Sequence, residues 1–211
     1  MPMIKAFRMD GLGNKFIIVD RRIELVNISK EKIIHLGKLK SFHRDLGFDQ
    51  IIFIEKKIDK AFPITIYNSD GSEVSACGNG ARCIAYLLGK DLNTKKIKLK
   101  TNNRLLDAKI VGDCDVELAM GKPIFEWDKI PLSEKIDNEN ITLNIDDKIL
   151  TNGFSLNVGN PHIIFFVKDC FAYDLKILGS KIENHKLFPE KTNVTFAQID
   201  NKNNITVNVW E

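Results

Sequence analysis

GNKFIIVD, residues 13–20, is echoed 146 positions later by GNPHIIFFVKD, residues 159–169, so that Asn14 falls on Asn160 and Ile17-Ile18 on Ile163-Ile164. Each copy is followed by a stretch with helical spacing, roughly 29–41 behind a serine cap and roughly 174–185 behind an aspartate cap. Beyond these the offset settles at 143, with QIIF (50–53) over NVTF (193–196) and ITIYN (64–68) over VNVWE (207–211). Strand-rich stretches align easily, because strands share an alternating apolar pattern. Here the turns also carry matching Gly-Asn pairs and the matches keep one order, which points to a duplicated domain; the period is too long for a solenoid. The expected fold is α/β with α+β-like mixed sheets, in two pseudo-symmetric halves with a cleft that both can line.

Outward from the first copy, the strand FPITIYN (62–68) runs into an Asn-Ser-Asp-Gly turn, and YNSDGSEVSACGNGARC (67–83) then leads into helical spacing at Ala81, Ile84, Ala85 and Leu88. That places Cys77 at a helix N-terminus. Open backbone N–H groups and the positive end of the helix dipole favour a thiolate there, bringing the thiol below its ordinary value of about 8.5. The same N–H groups can hold a carboxylate. A thiolate beside a bound amino acid's α-carbon is equipped to remove the α-proton. A cysteine taken alone reads as a small buried hydrophobe; the glycine-rich helix start is what favours chemistry at Cys77. Cys83 reads as core, and Cys114 and Cys170 lie in or beside turns with nothing to activate them. No CxxC pairing and no His/Cys cluster has metal spacing, so reduced thiols and no metal are expected. No Gly-Lys-Ser/Thr follows the GNG loop, which argues against nucleotide binding.

At 211 residues, with 44% hydrophobic and 28% charged residues, the chain has room for two modest α/β domains. A net charge of +3, its basic excess within residues 1–117, is too weak to argue for nucleic acid. KKIKLK (95–100) alternates lysine with Ile97 and Leu99, as in a strand with one solvated face. No apolar run approaches the roughly 18 residues of a membrane span, and MPMIKAFRMDG (1–11) lacks a signal-peptide core, so a cytoplasmic protein with no membrane partner is expected. The connector 121–131, with Pro123, Trp127 and Pro131, fits a boundary between a domain at 1–117 carrying Cys77 and a second at 118–211.

GLGN (11–14), GFDQ (47–50), NSDGSEVSACGNGARC (68–83), GNPH (159–162), FPEKTNV (188–194) and the terminal VWE occur in this order, and together they resemble the diaminopimelate epimerase family. The resemblance implies the two-domain fold of that family and the interconversion of LL- and meso-diaminopimelate, for lysine and peptidoglycan synthesis, without pyridoxal phosphate or any other cofactor. It implies a two-base reaction, one cysteine taking the α-proton and a second returning one to the opposite face. Cys77 matches the first, His162 a histidine near the thiols, and Glu211 the start of a Glu-Arg pair; these are the catalytic candidates. Substrate contacts carry over to Asn14, Gln50, Asn68, Gly78, Asn79, Asn160, Asn193 and Glu211. Lys15 stands where the family has aspartate and Asp10 where a histidine is common, which bears on the geometry of the first loop. The partner is a small molecule, with neither nucleic acid nor membrane, and a homodimer is left open.

The chemistry makes these assignments intelligible. Without an electron sink the α-proton is weakly acidic, so the carbanion needs dense hydrogen bonding in a site closed to water. Amide side chains offer donors and an acceptor without net charge, and Glu211 could pair with an ammonium group. The repeat, however, puts the counterpart of Cys77 at position 220, past Glu211. The second domain therefore reads as incomplete by on the order of 50 residues, and the chain as impaired, since one acid or base is worth about 10²–10⁴-fold. Two other readings stand beside this one: a non-catalytic remnant, and a proline racemase-like isomerase, against which Gln50 and Glu211 suit a long substrate with two amino-acid ends.

Overall fold

The computed structural model describes residues 5–41, 44–45, 47–74, 77–102 and 104–211. The chain divides into two compact units, Met1–Met120 and Gly121–Glu211.

The first unit runs β1 (Ala6–Gly11), β2 (Asn14–Asp20), α1 (Lys30–Gly37), β3 (Lys40–Ser41), β4 (Arg44–Asp45), β5 (Gln50–Ile54), β6 (Phe62–Asn68), β7 (Glu73–Val74), α2 (Gly78–Asp91), β8 (Lys96–Lys100), β9 (Leu105–Gly112) and β10 (Asp115–Ala119). An eight-stranded sheet takes the order β1-β2-β5-β6-β8-β9-β10 with β7 on β6, while β3 and β4 form a ribbon of their own. β2 and β5 are parallel, as are β6 and β8; the other pairs are antiparallel. Alternation along the strands gives the sheet two apolar faces. Phe16, Ile18, Ile52 and Ile66 pack with Ala81, Ile84, Ala85 and Leu88 of α2. Val19, Ile51 and Phe53 pack with Ile33 of α1. β8 buries Ile97 and Leu99 and exposes Lys96, Lys98 and Lys100, the solvated-face strand expected from its alternation.

The second unit runs β11 (Ile141–Ile145), β12 (Lys148–Asn157), β13 (Pro161–Phe166), α3 (Leu175–Glu183), β14 (Asn193–Asn201) and β15 (Asn204–Trp210). Its five strands lie in chain order, antiparallel except for the β13–β14 pair. Leu175, Leu178 and Ile182 of α3 pack with Ile163, Phe165, Val194 and Phe196.

Strand register reproduces the repeat seen in the sequence. Phe16 pairs with Gln50 in the first unit and His162 with Asn193 in the second. Ile51 pairs with Tyr67, and Val194 with Trp210. These are equivalent positions at offsets of 146 and 143, and α1 and α3 follow equivalent strands.

The caps sit as expected: Ser29 accepts from Lys32 N at 3.3 Å, and Asp174 from Lys176 N at 3.1 Å and Ile177 N at 3.3 Å. The first helix is shorter than its spacing suggested, stopping at Gly37, with Lys40 and Ser41 in β3. A Cβ on Gly37 would stand 2.8 Å from that of Ser69, so only glycine lets the end of the helix lie this close to a segment far away in the chain. Lys38 N and Leu39 N then turn back to His35 O and Leu36 O, each at 3.2 Å.

Candidate active site

Cys77 is the N-cap of α2: its backbone is extended (φ −144°, ψ 110°), and its Sγ accepts the Gly80 N–H at 3.4 Å. The sulfur thus occupies the place usually held by a Ser or Asp oxygen, at the positive end of the helix dipole. Cys77 is half-buried. Ser75 and Ala76, just before it in the loop read from the sequence, lie outside the described residues.

Packing accounts for one glycine of the GNG run and leaves another unexplained. A Cβ on Gly80 would meet Ile52 Cδ1 at 2.5 Å, so only glycine lets the helix start descend onto the sheet beside Cys77 Sγ. A Cβ on Gly78 would meet only Met120 at 3.6 Å and Arg82 at 3.9 Å, ordinary contacts at an unexceptional φ.

Around this helix start stand the ends of three strands. β2 and β5 run parallel and begin here, β6 runs back and ends here, and the register Phe16–Gln50–Asn68 puts Asn14, Gln50 and Asn68 on the sheet face that carries α2. Asn79 Nδ2 donates to Asn14 Oδ1 at 2.7 Å, and Arg82 Nη2 donates to Asn79 Oδ1. Gln50 Nε2 donates to Asn68 Oδ1 at 3.0 Å, and Asn68 Nδ2 to Ser72 Oγ at 3.1 Å. Ser72 in turn donates to Asp70 Oδ1 through both Oγ (2.5 Å) and its backbone N–H (2.8 Å). These bonds hold the Asp70 carboxyl below the usual carboxylate range. Gln50 Oε1 is covered and has no partner among the described residues.

GLGN forms the two-residue turn between β1 and β2, with Leu12 at φ +51° and Gly13 at φ +94°, the paired positive values of a hairpin turn whose twist matches its strands. Asp10 and Lys15, where the chain departs from the family pattern, face each other in regular antiparallel register, and Lys15 N donates to Asp49 Oδ2 at 2.7 Å.

The second unit assembles its own candidates. His162 Nε2 lies 3.0 Å from Asn160 Oδ1 and 3.3 Å from Asn193 Nδ2, and since one neighbour is an acceptor and the other a donor, that nitrogen serves one of them in each tautomer. Burial pushes the His162 pKa down, partly opposed by the charge of Glu211. Glu211 itself is exposed, just past β15.

The structure thus joins Asn14, Cys77, Gly78 and Asn79, links Gln50 to Asn68, and gathers Asn160, His162, Asn193 and Glu211. Two participants escaped the sequence reading. Arg82 lies five residues after Cys77, where the sequence alone marks no role for it, and Asp70 reads from the sequence as a turn residue alone. The other cysteines stand apart: Cys83 and Cys170 are buried, and Cys114 is exposed in the β9–β10 turn at φ +60°. Burial first, and then the nearby Cys77, pushes the Cys83 thiol up. Among the described residues, no three His, Cys, Asp or Glu side chains converge as a metal site.

Comparison with known proteins identifies the family. The sequence profile of the family described as diaminopimelate epimerase matches residues 6–126 and 154–211. The chain is 48% identical over 211 residues to the diaminopimelate epimerase of Pelagibacter ubique (strain HTCC1062), covering 99% of this chain and 76% of that one. It is 39% identical over 206 residues to that of Wolbachia sp. subsp. Brugia malayi, covering 97% and 75%. Among solved structures, a hydroxyproline epimerase from Agrobacterium vitis superposes with a TM-score of 0.63 at 11% identity, over 98% of this chain and 69% of that one. A phenazine biosynthesis protein of the PhzF family from Enterococcus faecalis does so with a TM-score of 0.63 at 11% identity, over 98% and 73%. Those two likenesses speak to the fold alone. The family profile spans both units and the cysteine-capped helix between its flanking amides, and with relatives of this identity it places the chain in the diaminopimelate epimerase family.

Proposed function

We propose that this chain acts on diaminopimelate, epimerising the LL form to the meso form at the α-carbon by two-base proton transfer without pyridoxal phosphate, in cytoplasmic lysine and peptidoglycan synthesis. The observation that carries the reading is Cys77 Sγ as the cap of α2, accepting a backbone N–H within a ring of amide side chains. A sulfur so placed is favoured as an anion, and in that form it is the base that takes the α-proton. The helix-start N–H groups near Gly78 and Asn79 receive the substrate carboxylate and stabilise the carbanion as charge moves onto it. Asn160, His162, Asn193 and Glu211 are assigned to the same substrate by the resemblance, with Glu211 as partner for an ammonium group.

Inversion needs an acid on the opposite face, and among the described residues no second cysteine caps a helix as Cys77 does. The chain alone is therefore expected to exchange the α-proton slowly and to invert little. Incubation with LL-diaminopimelate in D₂O, read by proton NMR and chiral chromatography, tests this. The expected result is slow deuterium incorporation with scant meso product, and no incorporation in Cys77→Ala. Incorporation that survives Cys77→Ala refutes the role of Cys77, and rapid inversion by the unaltered chain refutes the need for a second thiol. No helix among the described residues is long and apolar enough to cross a membrane.

A further inference from the structure

We propose that Arg82 and Asp70 fix the hydrogen-bond polarity of the first unit's amide groups, making Asn14 a donor to a ligand carboxylate and Gln50 an acceptor from a ligand ammonium, so that this unit selects a zwitterion. The inference rests on the epimerase reading only for the identity of that zwitterion.

An amide side chain is ambivalent: its oxygen and nitrogen have nearly the same shape, and its direction is set by its neighbours. The ambiguity ends wherever a chain of amides meets a group with one capability. A guanidinium can only donate. Arg82 donates to Asn79 Oδ1, which leaves Asn79 Nδ2 to donate to Asn14 Oδ1 at 2.7 Å. The end of Asn14 turned away from Asn79 is then Nδ2, a donor. The second chain starts from the opposite kind of anchor. Asp70, held ionised by its two bonds from Ser72, can only accept. Ser72 therefore spends its hydroxyl proton on Asp70 and accepts from Asn68 Nδ2 at 3.1 Å, and Asn68 Oδ1 accepts from Gln50 Nε2 at 3.0 Å. The end of Gln50 turned away from Asn68 is Oε1, an acceptor, covered and without a partner among the described residues.

The two chains run in opposite directions to the same place. Asn14 and Gln50 open the parallel strands β2 and β5, on the face carrying α2. One terminus offers N–H and the other an oxygen, which is what a carboxylate and an ammonium on one carbon require. A buried acceptor with no donor is unfavourable, and an ammonium proton relieves it. Arg82 and Asp70 act through their neighbours and are positioning residues.

The test uses the full 211-residue chain and isothermal titration with three probes: diaminopimelate; heptanedioate, which lacks both ammonium groups; and 1,5-diaminopentane, which lacks both carboxylates. The unaltered chain should prefer diaminopimelate to each by about 10-fold or more, the scale of one charge-assisted hydrogen bond. Arg82→Gln, able to donate or accept, should lose the preference over 1,5-diaminopentane alone, and Asp70→Asn the preference over heptanedioate alone. Arg82→Lys and Asp70→Glu, which keep a donor-only and an acceptor-only anchor, should retain both, which a purely structural role would not require. Loss of both preferences in either single variant, or of neither, overturns the proposal. Should the unaltered chain bind none of the probes, the epimerase reading falls. Polarity is then decided by side-chain amide ¹⁵N resonances without ligand: Arg82→Gln should shift Asn79 and Asn14 but leave Asn68 and Gln50, and shifts in the other chain overturn it.

Discussion

Ile64 and Ile66 of β6 are 3% and 1% exposed, while Val207 and Val209, their repeat counterparts in β15, are 49% and 43% exposed. Both pairs are β-branched and apolar, and both occupy the same register in sheets of the same local topology. The difference is α2. In the first unit a helix lies on that face and seals it; in the second no helix among the described residues does, and Ile205, Val207 and Val209 meet solvent. The opposite faces behave alike, each covered by its own helix, α1 or α3. Apolar alternation thus makes a face able to be buried, but burial itself needs a second layer. The candidate chemistry of the first unit depends on that layer, because the same helix that seals the core caps itself with Cys77.

The comparison breaks most readily on core truncation. Leu88→Ala removes a fully buried side chain from under α2 and should cost the first unit about 2–5 kcal/mol, whereas Val207→Ala on the open face should stay within about 0.5 kcal/mol. Urea unfolding separates the two: Trp127 and Trp210 both belong to the second unit, so fluorescence follows it alone, while hydrogen exchange of the α2 amides follows the first. Equal costs would mean the two faces are not energetically distinct.

The glycines at the helix start sharpen the point. Gly80→Ala drives a methyl into Ile52 and should destabilise the first unit by about 1–3 kcal/mol. Gly78→Ala should leave the unfolding midpoint nearly unchanged yet weaken diaminopimelate binding in titration. Unaltered binding would mean that the lack of a side chain at Gly78 serves no ligand.

His162 occupies the register held by Phe16 in the first unit, and this gives the second unit a pH dependence near neutrality that Phe16 cannot supply at the equivalent position. Burial lowers its folded-state pKa below the unfolded value of about 6.5, so the unfolded chain takes up the proton first. Stability is full above that value and is lost as pH falls from it towards the folded-state pKa. His185, also pushed down by burial and by Lys186, adds in the same sense. Tryptophan-detected melting should therefore fall as pH drops from 7 towards 5, and His162→Phe should reduce that fall to the part due to His185. A fall of unchanged size in the variant would exclude His162 as its source.

The smallest effect concerns the open face. Val207→Thr with Val209→Thr should reduce binding of a hydrophobic fluorescent dye with little change in melting, because the side chains replaced are already in water. A large loss of stability would show that the face is covered in solution.

Much of this was legible before any coordinates. The Ser29, Asp174 and Cys77 caps follow from local chemistry, since a capping side chain reaches N–H groups two or three residues away. Lysine alternation in β8 and the order of elements in the two repeats are likewise written in short-range pattern. The close approach of Gly37 to Ser69 was not, because the two lie far apart in the chain. Nor were the roles of Arg82 and Asp70 visible: they act through hydrogen bonds whose far partners, Asn14 and Gln50, lie tens of residues earlier in the chain.

By itself, then, the amino-acid order determined the duplicated α/β plan, the turns, and a sulfur at the head of a helix, all of which arise from interactions spanning a few residues or from self-similarity along the chain. Only the tertiary structure decided which apolar face is sealed, what lies against the end of α1, and which way each amide points. Those are properties of strand register and close approach, and the energy that sets them comes from groups that meet only once the chain has folded.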